Sequence, residues 1–122
     1  MKKLFSLLLA ATSLIGCQSN TEFKSVDAQQ FAEVIANKDV QLVDARTPEE
    51  FSEGHIPGAV NMDVKSENFD AQIAQLDTSR PVAVYCRSGR RSKLAAERMT
   101  NAGFQVTELA DGILSWKGEV VK

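Results

Sequence analysis

The chain has 122 residues and a formal net charge of −2, and 43% of its residues are hydrophobic, values typical of one folded domain. The slightly acidic balance, with no basic tail, argues against nucleic-acid binding. The chain has one histidine and two cysteines, of which only Cys86 lies beyond the N-terminal apolar segment. One histidine and one cysteine cannot supply the three or four soft ligands of a zinc site. We therefore expect no metal and no cofactor.

The first sixteen residues have the pattern of an export signal. Lys2 and Lys3 precede an apolar run, residues 4–14, that is too short to span a bilayer comfortably. The run ends in Leu-Ile-Gly before Cys17, which resembles the lipobox of bacterial lipoproteins. The resemblance implies that residues 1–16 are a lipoprotein signal peptide and that Cys17 carries lipid. The alternative is an ordinary secretory peptide in which Cys17 is incidental.

Membrane attachment of this kind would come from lipid, because removal of Lys2 and Lys3 leaves a more acidic chain of formal charge −4. Residues 17–22 are predicted to form a short polar tether before a domain at residues 23–122. We expect the domain to face the periplasm of the bacterial cell envelope. Gln18 is not the aspartate that retains many lipoproteins in the inner membrane, so the outer membrane is favoured.

Beyond the tether, helical and strand segments alternate, which predicts an α/β domain with a mainly parallel sheet. Two helix starts carry capping boxes, in which Asp27 is followed by Gln30 and Thr47 by Glu50. The predicted helices open at Asp27 and Thr47 and also cover residues 66–76, 92–102 and 113–117, and the predicted strands are 40–43, 59–62, 81–85 and 105–109.

The predicted helix over residues 92–102 has one candidate inner face. Leu94, Ala95, Met99 and Ala102 recur at helical spacing, and such residues form the apolar side of an amphipathic helix. We therefore expect these four side chains to lie against the sheet.

The most informative segment is residues 86–91, CRSGRR, which joins the strand 81–85 to this helix. A cysteine between a buried strand and a helix N-terminus has backbone N–H groups directed at its sulfur, and the helix dipole adds positive charge there. Three arginines and Lys93 add further positive charge, and all these effects favour a thiolate. Cys86 is therefore a candidate nucleophile on a candidate cradle for a small anion.

The alternative for Cys86 is that of a small buried hydrophobe, which is common for a lone cysteine at the end of an apolar strand. Inert cysteines of that kind are rarely followed by a glycine and a cluster of cations. Because Gly89 and the arginines stand in the same turn, we favour the functional interpretation.

The segment resembles the active-site loop of the rhodanese family, Cys-x-x-Gly-x-Arg, with Cys86, Gly89 and Arg91 at its three positions. Further similarity lies upstream, in LVDAR at 42–46 and GHIPGA at 54–59. Three ordered motifs are more specific than one.

The third family motif lies near the end, in DGILSW at 111–116. The match is partial there, because Asp111 stands where the family usually has the first of two glycines. In all, the resemblance extends over roughly residues 22–121. It implies a rhodanese-like three-layer fold, with a five-stranded sheet flanked by helices and the cysteine at the carboxyl ends of the strands.

The resemblance also implies an activity. Cys86 would attack the outer sulfur of a sulfane donor such as thiosulfate, release sulfite and hold the sulfur as a persulfide. A thiol or cyanide, or a protein that accepts sulfur, would then remove it. The expected substrate-binding residues are those of the loop and the start of its helix: Arg87, Ser88, Gly89, Arg90, Arg91 and Ser92.

Three arginines have different expected roles. Arg87 and Arg90 are the candidates to meet the anionic donor, whereas Arg91 either faces the pocket or braces the loop. Asp44 and Arg46, at the end of the strand 40–43, correspond to family residues that brace the active-site loop and the rim of its pocket, so the resemblance implies a supporting role for them. The alternative for that pair is an ordinary surface ion pair of little energetic value.

Two other functions compete with sulfur transfer by turnover. One is a persulfide carrier or protein-interaction module that passes sulfur to a partner without turning over. The other is a phosphatase or arsenate reductase, but phosphatase loops have the pattern Cys-x5-Arg. In this chain the sixth position after Cys86 is Ser92, and the shorter spacing to Arg91 fits a single sulfur atom better than a phosphate.

Overall fold

Five strands and four α-helices alternate in the computed structural model, which describes residues 22–122. The predicted signal peptide, Cys17 and most of the tether lie outside the described residues. None of the helices in the described range is long and apolar enough to cross a membrane. The elements are β1 (Lys24–Val26), α1 (Ala28–Ile35), β2 (Gln41–Asp44), α2 (Pro48–Glu53), β3 (Val60–Asn61), α3 (Phe69–Ile73), β4 (Val82–Tyr85), α4 (Arg90–Asn101), β5 (Val106–Leu109) and a 3₁₀-helix (Ile113–Ser115).

The strands form one sheet in the order β1-β5-β4-β2-β3, and every neighbouring pair is parallel. Parallel strands end at the same edge of a sheet. The residues that follow β2, β4 and β5 therefore meet at the carboxyl edge, where open α/β sheets commonly bind ligands. Cys86 follows the central strand β4 and lies at that edge.

Helices cover both faces of the sheet and give the three layers expected of the fold. On one face, residues of α3 and α4 such as Phe69 and Met99 pack with Val43 and Val84. On the other, Phe31 of α1 packs with residues that include Leu42, Tyr85 and Leu109. Successive strand residues alternate between these two clusters, as expected for strands buried on both sides.

Both predicted capping boxes are present. The Asp27 side chain accepts a hydrogen bond from the Gln30 amide at 2.8 Å, and the Asp27 amide donates to Gln30 Oε1 at 3.4 Å. Thr47 and Glu50 form the same reciprocal pair at the start of α2. These helix starts depend on contacts three residues apart, so sequence is sufficient to predict them.

Other boundaries differ from the predictions. β1 was not predicted, because three residues with two exposed side chains carry no apolar signal. The helix predicted over 66–76 is only Phe69–Ile73, since its flanks are turns closed by i→i+3 bonds. The helix predicted over 92–102 begins at Arg90, two residues early, because Gly89 completes the turn before it.

The predicted inner face of α4 is partly wrong. Leu94 is 45% exposed and Ala102 is also exposed, whereas Ala95 and Met99 are buried as expected. The buried side chains of α4 are Ser92, Ala95, Ala96, Met99 and Thr100. A periodicity argument that counts only apolar residues overlooks the two hydroxyl side chains that complete this face.

Candidate active site

Cys86 is nearly inaccessible, with only 1% of its surface exposed, and it is a free cysteine. Its Sγ accepts a hydrogen bond from the Gly89 amide at 3.1 Å. On its other side Sγ lies 3.4 Å from the Ser92 hydroxyl oxygen. The sulfur therefore sits inside a turn of backbone at the head of α4, where amide donors and the helix dipole favour negative charge.

Gly89 makes this turn possible. Its φ is +107°, in the left-handed region that side chains avoid. A Cβ at this position would lie 1.9 Å from the carbonyl oxygen of Ala110. Glycine is thus required both by the conformation and by the close approach of the chain that follows β5.

The backbone carbonyls of the Cys86 loop (residues 86–91) are hydrogen-bonded from behind. The carbonyl of Cys86 accepts from the Ile113 amide at 2.9 Å, and that of Arg87 accepts from the Leu114 amide at 3.2 Å. Lys93 Nζ donates to the Gly89 carbonyl at 3.1 Å. These bonds fix the backbone of the loop, in which the Gly89 amide is the one that donates to the sulfur.

Gly112 sets the distance between the loop and the segment behind it. Its φ is +71°, and a Cβ there would lie 2.0 Å from the Arg87 carbonyl oxygen. Asp111, which departs from the family's paired glycines, is exposed. The departure therefore falls at the position that tolerates a side chain.

Ser92 lies behind the sulfur and is fully buried. Its hydroxyl donates to Glu108 Oε2 at 2.5 Å, so its hydrogen-bonding capacity is used within the protein. The predicted substrate-binding role of Ser92 depends on the backbone amides of the loop and not on this hydroxyl, so that role stays a prediction. The helical register of α4 turns Ser92 inward, toward β5.

Glu108 was missed by the sequence analysis. It is a fully buried carboxylate on β5, and it accepts hydrogen bonds from Ser25 at 2.6 Å and Lys93 at 3.2 Å as well as from Ser92. The available signal was an acidic residue inside the apolar run 105–109. Buried carboxylates require such partners, so an acid in a buried strand marks a polar network.

Arg91 braces the loop. Its guanidinium binds the Glu50 carboxylate through two hydrogen bonds of 2.7 and 3.0 Å. The bond from Arg91 lowers the pKa of Glu50 to about 2, and the same bond raises the pKa of Arg91. Of the two orientations considered, the structure has the one that ties α4 to α2.

The exposed side of the loop carries Arg87, Ser88 and Arg90. Their side chains are therefore accessible to a small anion in solution. The structure therefore separates the predicted substrate-binding residues into an exposed group and an internal group, which consists of Gly89, Arg91 and Ser92.

Asp44 and Arg46 form a buried pair, which excludes the surface alternative. Their side chains are 0% and 7% exposed, and Arg46 Nη2 lies 2.6 Å from Asp44 Oδ2. Burial works against the charge of Arg46, but its hydrogen bonds to Asp44 raise its pKa. The guanidinium also donates to the Gly54 carbonyl and lies over the ring of Tyr85. The pair thus supports the strand end that delivers Cys86.

A separate surface cleft of about 820 Å³, with Phe23, Thr100 and Phe104 in its lining, lies at the opposite, amino edge of the sheet. No cysteine lines it. Cys86 lies at the carboxyl edge of the sheet instead.

The sequence matches the family model described as Rhodanese-like domain over residues 27–119. The chain belongs to this rhodanese-like family. Similarity to curated proteins agrees: the chain is 36% identical to thiosulfate sulfurtransferase GlpE of Shewanella oneidensis over 79% of this chain and 94% of that protein. It is 33% identical to a sulfurtransferase of Allochromatium vinosum over 75% of this chain and 85% of that protein.

Solved structures share the rhodanese-like fold. A rhodanese-related protein from Thermoplasma volcanium superposes with a TM-score of 0.72 at 27% identity, covering 81% of this chain and 98% of that one. The family and the relatives together make this chain a rhodanese-like enzyme of the sulfurtransferase class.

Proposed function

We propose that the protein moves a sulfane sulfur from a small anionic donor such as thiosulfate, through a persulfide on Cys86, to a thiol or cyanide acceptor. The observation that carries the proposal is the Gly89 amide 3.1 Å from Cys86 Sγ, at the head of a twelve-residue helix. A donor site of this kind stabilises negative charge on sulfur. The name thiosulfate sulfurtransferase given to the Shewanella relative supports the choice of donor.

The reaction divides into two balanced half-reactions. The Cys86 thiolate attacks the outer sulfur of thiosulfate, so that a new S–S bond forms and the donor's S–S bond breaks with its electron pair leaving on sulfite. The acceptor thiolate or cyanide then attacks the terminal sulfur and regenerates the Cys86 thiolate. A covalent intermediate between two substrates predicts ping-pong kinetics.

The hydrogen bonds around the loop argue against phosphate or arsenate as the substrate. Arg91 is bound to Glu50, and the next residue, Ser92, is directed at Glu108. Neither side chain is free to clamp a tetrahedral anion at the sulfur, whereas a single sulfur atom needs only the backbone amides.

The test is transfer of sulfur to and from Cys86. Purified protein incubated with thiosulfate should gain the mass of one sulfur atom on the Cys86 peptide, and thiocyanate should form when cyanide is added. Cys86→Ser should abolish both, while Ser79→Ala, an exposed serine in the turn before β4, should retain them. Absence of both signals in the wild type contradicts the proposal for this donor. A persulfide that forms but does not turn over would instead indicate a carrier.

The acceptor is proposed to be a thiol from outside the domain, either a small molecule or a protein. Residues 22–122, which the structure describes, contain one cysteine, Cys86. No second thiol in this range can therefore take the sulfur from the persulfide. A peptide or protein thiol added to the Cys86 persulfide should therefore remove its outer sulfur, and mass spectrometry should find that sulfur on the added thiol. Failure of every thiol tested would favour cyanide as the acceptor.

We also propose that lipid on Cys17 holds the domain at the periplasmic side of the envelope, with the outer membrane favoured. The support is the apolar run that ends in Leu-Ile-Gly before Cys17. Cys17→Ala should release the protein from isolated membranes and abolish labelling by a fatty-acid probe. Cys86→Ser is the matched cysteine control and should remain in the membrane fraction.

A further inference from the structure

A buried carboxylate stands two hydrogen bonds behind the nucleophile. Cys86 Sγ lies 3.4 Å from the Ser92 hydroxyl oxygen, which in turn lies 2.5 Å from Glu108 Oε2. All three residues are at most 1% exposed. The sulfur-transfer chemistry described above makes no use of Glu108, so the reason for burying an acid there needs a separate account.

The hydrogen-bond donors around Glu108 determine the direction of the two hydrogen bonds that link Cys86, Ser92 and Glu108, a chain called here the proton line. The Glu108 carboxylate accepts from Ser25 at Oε1, and from Lys93 and Ser92 at Oε2. Ser92 has a single hydroxyl proton, which it uses in the hydrogen bond that it donates to Glu108. The lone pairs of the Ser92 oxygen therefore face Cys86. Cys86 must then donate, and the resting proton line runs from the Cys86 thiol through Ser92 to the Glu108 carboxylate.

Attack on a donor needs the Cys86 thiolate. A thiolate and a carboxylate separated by one hydroxyl group in a buried site repel each other strongly, because the dielectric constant there is low. The repulsion is avoided if the thiol proton moves to the carboxylate rather than into solvent.

We propose that Cys86 and Glu108 share one proton through Ser92, so that Glu108 holds the thiol proton while Cys86 is a thiolate or carries anionic persulfide. This deepens the proposed function, on which it rests for the role of Cys86. Glu108 is thus a positioning residue that acts through Ser92 and does not touch the substrate.

The step moves protons only among Cys86, Ser92 and Glu108, and none is gained from or lost to solvent. Cys86 S–H gives its proton to the Ser92 oxygen, and Ser92 gives its own proton to Glu108 Oε2. Ser92 then donates to the thiolate, which also keeps the Gly89 amide. When the acceptor has taken the sulfur, the same transfer in reverse returns the proton to Cys86.

Two charged side chains face the proton line within the described residues. Lys93 Nζ contacts Glu108 from α4 at 3.2 Å. The guanidinium of Arg91 interacts electrostatically with Cys86, with Glu50 and with Asp63. Neither cation contacts the Ser92 hydroxyl, so neither replaces it as the link between the two acids.

The test is the rate of Cys86 alkylation by iodoacetamide as a function of pH, followed on the Cys86 peptide of the full-length chain by mass spectrometry. A shared proton gives the wild type two inflections on a logarithmic rate scale, because the thiol and the carboxyl titrate as a pair. Glu108→Gln removes the competing acid, so its profile should have one inflection. Its alkylation at pH 7 should be roughly three- to tenfold faster than that of the wild type, because a like charge has been removed.

Two further variants separate this role from a structural one. Glu108→Asp keeps the carboxylate and should restore two inflections. Ser25→Ala removes a hydrogen bond to the other carboxylate oxygen, so it should lower the thermal unfolding midpoint while keeping both inflections. A wild-type profile with one inflection, or a Glu108→Gln variant that reacts no faster at pH 7, overturns the proposal. Alkylation uses no sulfur donor, so a failure with thiosulfate leaves this result independent.

Discussion

The two sides of the Cys86 loop differ in what their groups are bound to. On the exposed side, Arg87, Ser88 and Arg90 face solvent. On the buried side, the carbonyls accept from Ile113, Leu114 and Lys93. These hydrogen bonds hold the loop backbone in the turn in which the Gly89 amide donates to Cys86 Sγ at 3.1 Å. The segment behind the loop therefore fixes the backbone conformation around the sulfur.

The difference predicts two kinds of mutational effect. Changes on the buried side should lower the free energy of unfolding, because they leave charges or contacts unsatisfied. Changes on the exposed side should raise the KM for an anionic sulfur donor and leave the free energy of unfolding unchanged.

The largest effect is expected for Asp44→Ala. The substitution leaves the Arg46 guanidinium buried without its carboxylate, and breaking a buried pair in this way costs about 3–5 kcal/mol of unfolding free energy. Urea unfolding measures the loss. Asp39→Ala is the matched control, because Asp39 forms an exposed pair with Arg80, and it should change stability by less than about 0.5 kcal/mol. Equal losses in the two variants would show that burial of the pair is unimportant.

Gly112→Ala should cause the second-largest loss of unfolding free energy. The new Cβ would lie 2.0 Å from the Arg87 carbonyl oxygen, and residue 112 has a left-handed backbone conformation. The clash and the conformation together should lower the free energy of unfolding by about 2–4 kcal/mol. The rate of sulfur transfer should fall as well. Gly103→Ala shares the positive φ but meets nothing within 4 Å, so it isolates the conformational cost of about 1–2 kcal/mol. If both variants unfold at the same urea concentration, the contact with the loop contributes nothing.

The Glu50–Arg91 pair should give a smaller, pH-dependent effect. The folded protein lowers the pKa of Glu50 from 4.5 to about 2, so ionised Glu50 stabilises the fold fully above about pH 4.5, and this stability is lost as the pH falls through about 2. Glu50→Gln should cost about 1–2 kcal/mol at pH 7, since the pair is partly exposed. The difference should disappear near pH 2.

The control for this pair is Glu53→Gln, an exposed acid on the same helix, which should leave the unfolding free energy nearly constant. Unfolding at pH 7, 4 and 2 measures both variants. A Glu50→Gln loss that persists unchanged at pH 2 would contradict the assignment to an ion pair.

The smallest effect is expected on the exposed side. Arg87→Ala and Arg90→Ala should each raise the KM for thiosulfate about three- to tenfold, with kcat and the unfolding midpoint unchanged, because the arginines attract the anion without holding the fold. Added salt should shrink the difference from the wild type, since it screens exposed charges. Arg80→Ala, at the amino edge of the sheet, is the control. A loss of stability in the Arg87 or Arg90 variant would remove the distinction between the two sides.

Much of the architecture was predictable from local pattern. The capping boxes at Asp27 and Thr47, the α/β alternation and the cysteine at the end of β4 all follow from contacts between near neighbours in sequence. β1 was missed, because it is stabilised by pairing with β5, more than eighty residues away. The inner face of α4 was assigned wrongly in part, since Ser92 is buried for its hydrogen bonds rather than for hydrophobicity.

The sequence by itself determined that a cysteine, a glycine and a group of cations stand at a strand-to-helix turn, because spacing and residue type are local properties. Only the tertiary structure decided which of those groups are exposed to solvent and which are bound within the protein. Arg91 is turned to Glu50 and Ser92 to Glu108, partners that are brought within reach by the packing of α4 against α2 and β5. The cationic exposed side and the acid held behind the sulfur are therefore consequences of how the elements assemble.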